Sequence, residues 1–212
     1  MGKRGGLLLL ALLLAPLPAL GQGEPAERES EYEMPAGEAW ALPGFRVQLR
    51  FGRDSLTGAG DGAPDASGWS FAVEPGIRLS ESFSLAATLR YAALIDGFEG
   101  VRYSTSGEFA WHPFGGFFLG TGVGYAGLVG SSAFGSCDGD GVMLLARTGW
   151  LIPVGELFAT GPVVQLDQQW TSCSYEEEFF EEDEEWGNWT YRTTERTWSH
   201  RTLHFSWSLA WR

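Results

Sequence analysis

Beyond its first twenty residues this chain has no apolar run of the ~20 residues a helix needs to cross a bilayer. Any membrane-spanning body must therefore be built from strands, the other arrangement that satisfies every backbone polar group in lipid. Basic residues are scarce: 14 Lys and Arg stand against 27 Asp and Glu, a net charge of −13. With no basic patch, the electrostatic footprint of a nucleic-acid-binding protein is missing. Cysteine is scarcer still, with Cys137 and Cys173 the two present. Neither stands directly after the N-terminal apolar stretch, which argues against a lipid-anchored lipoprotein.

What is present at the N-terminus reads as an export signal. Lys3 and Arg4 precede an apolar core from Leu7 to Ala15, and Ala19-Leu20-Gly21 supplies small residues for cleavage before Gln22. We expect residues 1–21 to be a signal peptide and 22–42, rich in Glu, Pro and Ala without alternation, a flexible periplasmic tail. Residues 43–212 then form one domain. In an exported chain the even cysteine pair favours a disulfide, Cys137–Cys173, over a metal site.

Eight segments of residues 43–212 alternate bulky apolar with small or polar side chains, the period of a strand. The last sets Leu203, Phe205, Trp207, Leu209 and Trp211 against His204, Ser206, Ser208 and Ala210. The first sets Phe45, Val47, Leu49 and Phe51 against Arg46, Gln48 and Arg50. Short turns are expected at Ser80–Ser82, Pro113–Gly115 and Pro153–Glu156. Longer Gly/Asp/Ser-rich loops are expected at Asp54–Gly68, Ile95–Gly100, Val129–Asp140 and Thr171–Glu195. The pattern predicts an all-β, eight-stranded, antiparallel up-and-down barrel; ten strands remain open if the tail or the last loop joins the wall.

Volume decides which face points inward. An eight-stranded barrel is just wide enough for its side chains to fill. Trp, Phe, Tyr and Leu from every strand would overfill it, whereas the Gly, Ala and Ser face with scattered charges fits. The aromatics also sort by height. Phe45, Phe83, Trp111, Phe117, Trp150, Phe158 and Trp211 fall at the short-turn end, and Phe51, Trp69, Tyr91, Tyr103, Tyr125 and Trp170 near the long loops. Eight tilted residues between the two rings span roughly 20 Å, close to the apolar band of an outer-membrane barrel. A soluble, lipocalin-type barrel gives no reason for two rings.

On these residues, the segment 43–212 resembles the transmembrane domains of small Gram-negative outer-membrane β-barrels, OmpA-like and OmpX-like. The resemblance is one of architecture and carries no short motif. It implies short periplasmic turns, longer extracellular loops, contact with outer-membrane lipid and lipopolysaccharide, and insertion by the barrel-assembly machinery as a monomer. Members of that family usually end on an aromatic residue; here Trp211 is penultimate.

The inward parity assigns Arg46, Arg50, Glu74, Arg78, Arg90, Arg102, Glu108, His112, Arg147, Asp167, His200 and His204 to the lumen. Buried charges require partners, so Arg50, Glu74, Arg90, Glu108, Arg147 and Asp167 are expected to form an Arg–carboxylate network that plugs it. The excess of Arg leaves a narrow, anion-preferring, porin-like channel as the alternative. His200, His204 and Asp167 could form a His–Asp contact, but no activated serine accompanies them, so a lipid A-modifying enzyme is the weaker reading. No cofactor is called for. The acidic run Glu176, Glu177, Glu178, Glu181, Glu182, Asp183, Glu184 and Glu185, interrupted by Phe179 and Phe180, reads as a solvated loop tip. Weak Ca²⁺ binding there, or docking of an extracellular partner in an adhesin-like role, is the sharper alternative.

Overall fold

A computed structural model of the chain describes residues 40, 42–59, 65–132, 135–181 and 188–212. The expected signal peptide and most of the expected tail lie outside them. The strands are β1 (Gly44–Ala59), β2 (Ala66–Arg78), β3 (Phe83–Asp96), β4 (Glu99–Phe114), β5 (Phe117–Ser132), β6 (Gly135–Trp150), the two-residue β7 (Ile152–Pro153), β8 (Phe158–Glu181) and β9 (Asn188–Trp211). Each long strand pairs antiparallel with its sequence neighbour, β9 returns to β1, and β6 pairs with β8. Eight strands thus close on themselves, and β7 adds two further pairs to β8 below the end of β6.

The register fixes the barrel's dimensions. Partner-to-partner pairing runs from Arg46 through Gly76, Ala86, Glu108, Gly122, Leu145, Asp167 and Thr202, and re-enters β1 at Leu56, ten residues above its start. At ordinary strand spacing and rise, that offset tilts the strands by about 40°. Every residue on this path shares the inward parity, which is why charges far apart in sequence can meet inside.

The outward face carries the bulky set. Phe45, Phe71, Leu89, Val123, Leu144, Leu166, Phe205 and Trp207 are all exposed around the belt. Aromatic rings pack at its edges: Phe114 stacks on Phe117 at 5.3 Å with Trp150 edge-on to both, and Phe51 stacks on Trp69 at 5.6 Å. An apolar belt of this extent around a closed barrel is a lipid-facing surface.

Three of the segments expected to be long loops continue the ladders instead. β1 extends to Ala59 and β2 begins at Ala66, while β5 and β6 pair as far as Ser132↔Gly135. β8 and β9 pair without interruption from Phe158↔Trp211 to Glu181↔Asn188. These stretches lack hydrophobic contrast because neither face meets lipid there. Backbone pairing to neighbours holds them nonetheless. The Ile95–Gly100 segment is a tight turn in which Gly97 adopts φ 81°. A Cβ at Gly97 would lie 2.3 Å from the Asp65 carbonyl oxygen. Turning there sends Phe98 inward, where it joins Leu56, Ala66, Leu94, Leu128, Cys137, Cys173 and Trp198 in a buried cluster. This apolar cap lies at the long-strand end of the lumen. Cys137 and Cys173 form a disulfide within it, joining β6 to β8.

Leu144 lies on the outer face, paired with Val123 between the two aromatic rings. Leu144→Arg should destabilise the barrel in lipid vesicles by about 2–4 kcal/mol, measured by reversible urea unfolding. A loss below ~0.5 kcal/mol would mean that this face does not meet hydrocarbon.

Candidate functional site in the barrel lumen

The narrow lumen admits long charged side chains because β5, the strand between those that carry Glu108 and Arg147, is nearly bare on its inner face. On β5, Gly120, Gly122 and Gly124 point inward. A Cβ on Gly120 would meet the Arg147 side chain at 3.1 Å, and one on Gly122 would come within 2.9 Å of Glu108 Cγ and 2.5 Å of the Gly107 carbonyl oxygen. The glycine column is the volume into which Arg147 and Glu108 fit.

Two connected charge groups fill the middle of the barrel. In the first, Arg147 donates from Nη1 and Nη2 to the two oxygens of Glu74 at 2.5 and 2.6 Å, and its Nε lies 2.9 Å from Glu108 Oε2. Arg50 Nη2 reaches Glu74 at 3.2 Å, and Ser106 donates to Glu108 at 2.8 Å. In the second, Asp167 accepts from Arg90 at 3.2 Å, from Arg102 at 3.0 Å and from Gln165 at 2.7 Å. Gln165 Oε1 joins the groups by accepting from Arg50 and Arg90, both at 2.7 Å. Four guanidiniums thus share the carboxylates of Glu74, Glu108 and Asp167 in a nearly water-free space. Bidentate and charge-assisted bonds of this kind are what a buried charge needs to be tolerated.

His204 sits in the middle of the second group. Its Nε2 is 2.5 Å from Asp167 Oδ2 and its Nδ1 is 2.5 Å from Asp54 Oδ1, and Ser70 also donates to Asp54, at 2.6 Å. The ring is therefore oriented by two carboxylates, and the Ser70 hydroxyl is bonded to Asp54 instead of to the ring. A nucleophile activated by His204 would need the hydroxyl–imidazole contact that Ser70 does not make.

The expected network residues Arg50, Glu74, Arg90, Glu108, Arg147 and Asp167 all face the lumen and are linked through Gln165. Arg102 joins them, bonding to Gln169 at 3.0 Å as well as to Asp167. Arg46, Arg78 and His112 stand apart at the short-turn end, and His200 lies above the charges with its ring edge-on to Trp198 at 5.8 Å. Sequence reasoning missed Asp54, which was read as the start of a loop. The signal was available: Asp54 continues the inward parity of Arg46, Gln48 and Arg50. Of the acidic run, Glu176 to Glu181 lie in the β8 ladder, and Glu182, Asp183, Glu184 and Glu185 fall outside the described residues.

Asp167→Ala would leave Arg90, Arg102 and His204 without their shared carboxylate. Loss of one member of a buried ion group costs about 3–5 kcal/mol. Urea titration of the folded barrel should show a destabilisation of that size. Gly122→Leu should lower stability as well, by driving a side chain into Glu108 and the Gly107 backbone, whereas Gly107→Ala, where a Cβ meets nothing within 4 Å and φ is not positive, should be mild.

No family model matches this chain, and no curated protein matches it in sequence. Solved structures do resemble it. Neisserial surface protein A has a TM-score of 0.51 and 12% identity, over 79% of this chain and 96% of that one. OprG from Pseudomonas aeruginosa scores 0.49 at 10% identity, over 80% and 96%, respectively. AlkL, an outer membrane protein solved in DMPC lipid bilayers, scores 0.47 at 12% identity, over 90% and 96%. The fold of this chain is that of the small eight-stranded outer-membrane barrels, and at such identities the likeness is one of fold alone.

Proposed function

We propose that this membrane barrel resides in the outer membrane of a Gram-negative cell, with a non-conducting lumen, and acts through the β8–β9 hairpin as a surface-interaction, adhesin-like protein. The observation that carries this reading is the length of that hairpin. Eleven residue pairs, from Thr171↔Trp198 to Glu181↔Asn188, continue past the ring position Trp170. At ordinary strand rise they extend about 35 Å along the strand direction; the last eight, from Ser174↔Glu195, lie beyond the final β6 partner Cys173, and Glu176 to Glu181 of the acidic run belong to them. A two-stranded ladder of this length carries these residues away from the bilayer surface. The acidic sequence suits a cationic partner or weakly held Ca²⁺.

Two further features support the closed lumen. The ion-paired groups occupy its middle, and the apolar cap of Leu56, Leu94, Phe98, Leu128 and Trp198 lies at the long-strand end. Insertion would proceed through the barrel-assembly machinery, with the barrel monomeric in lipid. Arg201, exposed on the outer face and bonded to Gln168 at 3.1 Å, would meet a lipopolysaccharide or lipid phosphate at the headgroup level.

Planar-bilayer recordings of the folded protein should show no steady open conductance; a stable open level would refute the closed lumen. Cells displaying the chain should bind an immobilised cationic protein. Deleting Glu176–Glu185 should remove that binding while the barrel keeps its heat-dependent gel shift. Unchanged binding in the deletion would overturn the role given to the hairpin.

A further inference from the structure

At the short-turn end, opposite the hairpin, the lumen opens into a chamber of about 340 Å³ walled by Trp40, Arg46, Arg78, Glu81, His112 and Leu151. A deeper space of about 50 Å³, reaching Gln48 and the Glu74–Arg147 pair, shares these walls. Since Glu74 and Arg147 are locked together, the chamber is blind-ended. It follows from the barrel's lower mouth and is independent of the surface role proposed above.

The chamber differs from the middle of the lumen in having guanidiniums without carboxylate partners. Arg50, Arg90, Arg102 and Arg147 each lie on a carboxylate, but among the described residues no carboxylate comes within 4.0 Å of Arg46 or Arg78. Both guanidiniums instead converge on the backbone carbonyl oxygen of Trp40, and Arg78 also donates to the carbonyls of Ser80, at 3.1 Å, and Glu81. The Arg46 guanidinium lies 4.7 Å from the centre of the Trp40 ring. Glu81, on the rim, is exposed.

Two donors of the chamber walls, Arg46 Nε and Trp40 Nε1, have no hydrogen-bond partner, and neither has Gln48 Nε2 in the wall of the deeper space. Trp40 and Gln48 are only 5% and 8% exposed. A buried N–H without an acceptor is costly, and folded proteins rarely leave one so. Here two belong to the chamber and one to the space behind it. What the chamber's guanidiniums lack is an anionic partner, and the complement to a set of donors and positive charge is a ligand that only accepts.

We propose that this chamber binds an oxyanion, specifically a phosphate group, with Arg46 and Arg78 supplying charge and the Trp40 indole and Gln48 amide supplying neutral donors. Guanidiniums suit phosphate because their N–H groups match its oxygens in pairs. The phosphate could be free or belong to an anionic lipid headgroup reaching the lower mouth, and the two sources are separable.

The test uses the full mature barrel, ¹⁵N-labelled, in phosphatidylcholine nanodiscs, following the Trp40 indole N–H and the Arg46 and Arg78 Nε–H signals. Inorganic phosphate should move all three saturably, and chloride at equal ionic strength should not. Arg46→Gln and Arg78→Gln should each weaken the response about tenfold, while Arg53→Gln, exposed on the outer face, should leave it unchanged. Folding of each variant is checked by gel mobility, and Gln48→Leu, which leaves the Trp40 clamp intact, serves if an arginine variant does not fold. In nanodiscs containing phosphatidylglycerol, the same shifts without added phosphate would assign the headgroup as ligand. No saturable shift with phosphate or phosphatidylglycerol, an equal shift with chloride, or indifference to all three chamber substitutions would overturn the site.

Discussion

Charge pairing inside a tube barely wider than its side chains is the constraint on which this barrel depends. Arg50, Arg90, Arg102 and Arg147 are nearly free of water, and each is compensated by a carboxylate within 3.2 Å. A buried guanidinium without such a partner would cost several kcal/mol. The requirement propagates into the wall: Gly120 and Gly122 must stay bare so that Arg147 and Glu108 can lie across the lumen. It also orders the neutral residues, because Gln165 joins the two groups by accepting from Arg50 and Arg90 at once.

The lumen is layered along its axis. The short-turn end holds uncompensated guanidiniums around a cavity, the middle holds compensated charge, and the long-strand end is apolar and carries the Cys137–Cys173 bridge. Each layer has a different relation to solvent. The apolar cluster lies at the end of the interior, and the ion-paired groups occupy its middle. Above the cap the β8–β9 ladder carries on alone, sustained by backbone bonds because there is no longer a barrel interior to fill.

Much of this was legible in the sequence. The bulky face of β9, Leu203 to Trp211, could be assigned outward because strand periodicity leaves two orientations and the interior volume permits one. The parity that placed Arg50, Glu74 and Asp167 inside follows from the same rule. The loops were less legible. Gly127 to Ser132 and Gly135 to Asp140 form a regular ladder, but their small residues show no contrast between faces, so composition alone resembles a turn. Asp54 was hidden for the same reason, lying just past the last bulky residue of its strand.

The sequence by itself determined which side of each strand faces lipid, because a period of two admits no other choice once one face is too large for the lumen. Only the tertiary structure decided which charges meet. Arg102 on β4 reaches Asp167 on β8, and His204 on β9 bridges Asp167 and Asp54. These partners are set by the ten-residue offset accumulated around the closed wall, a property of the whole ring of pairings that no single strand contains.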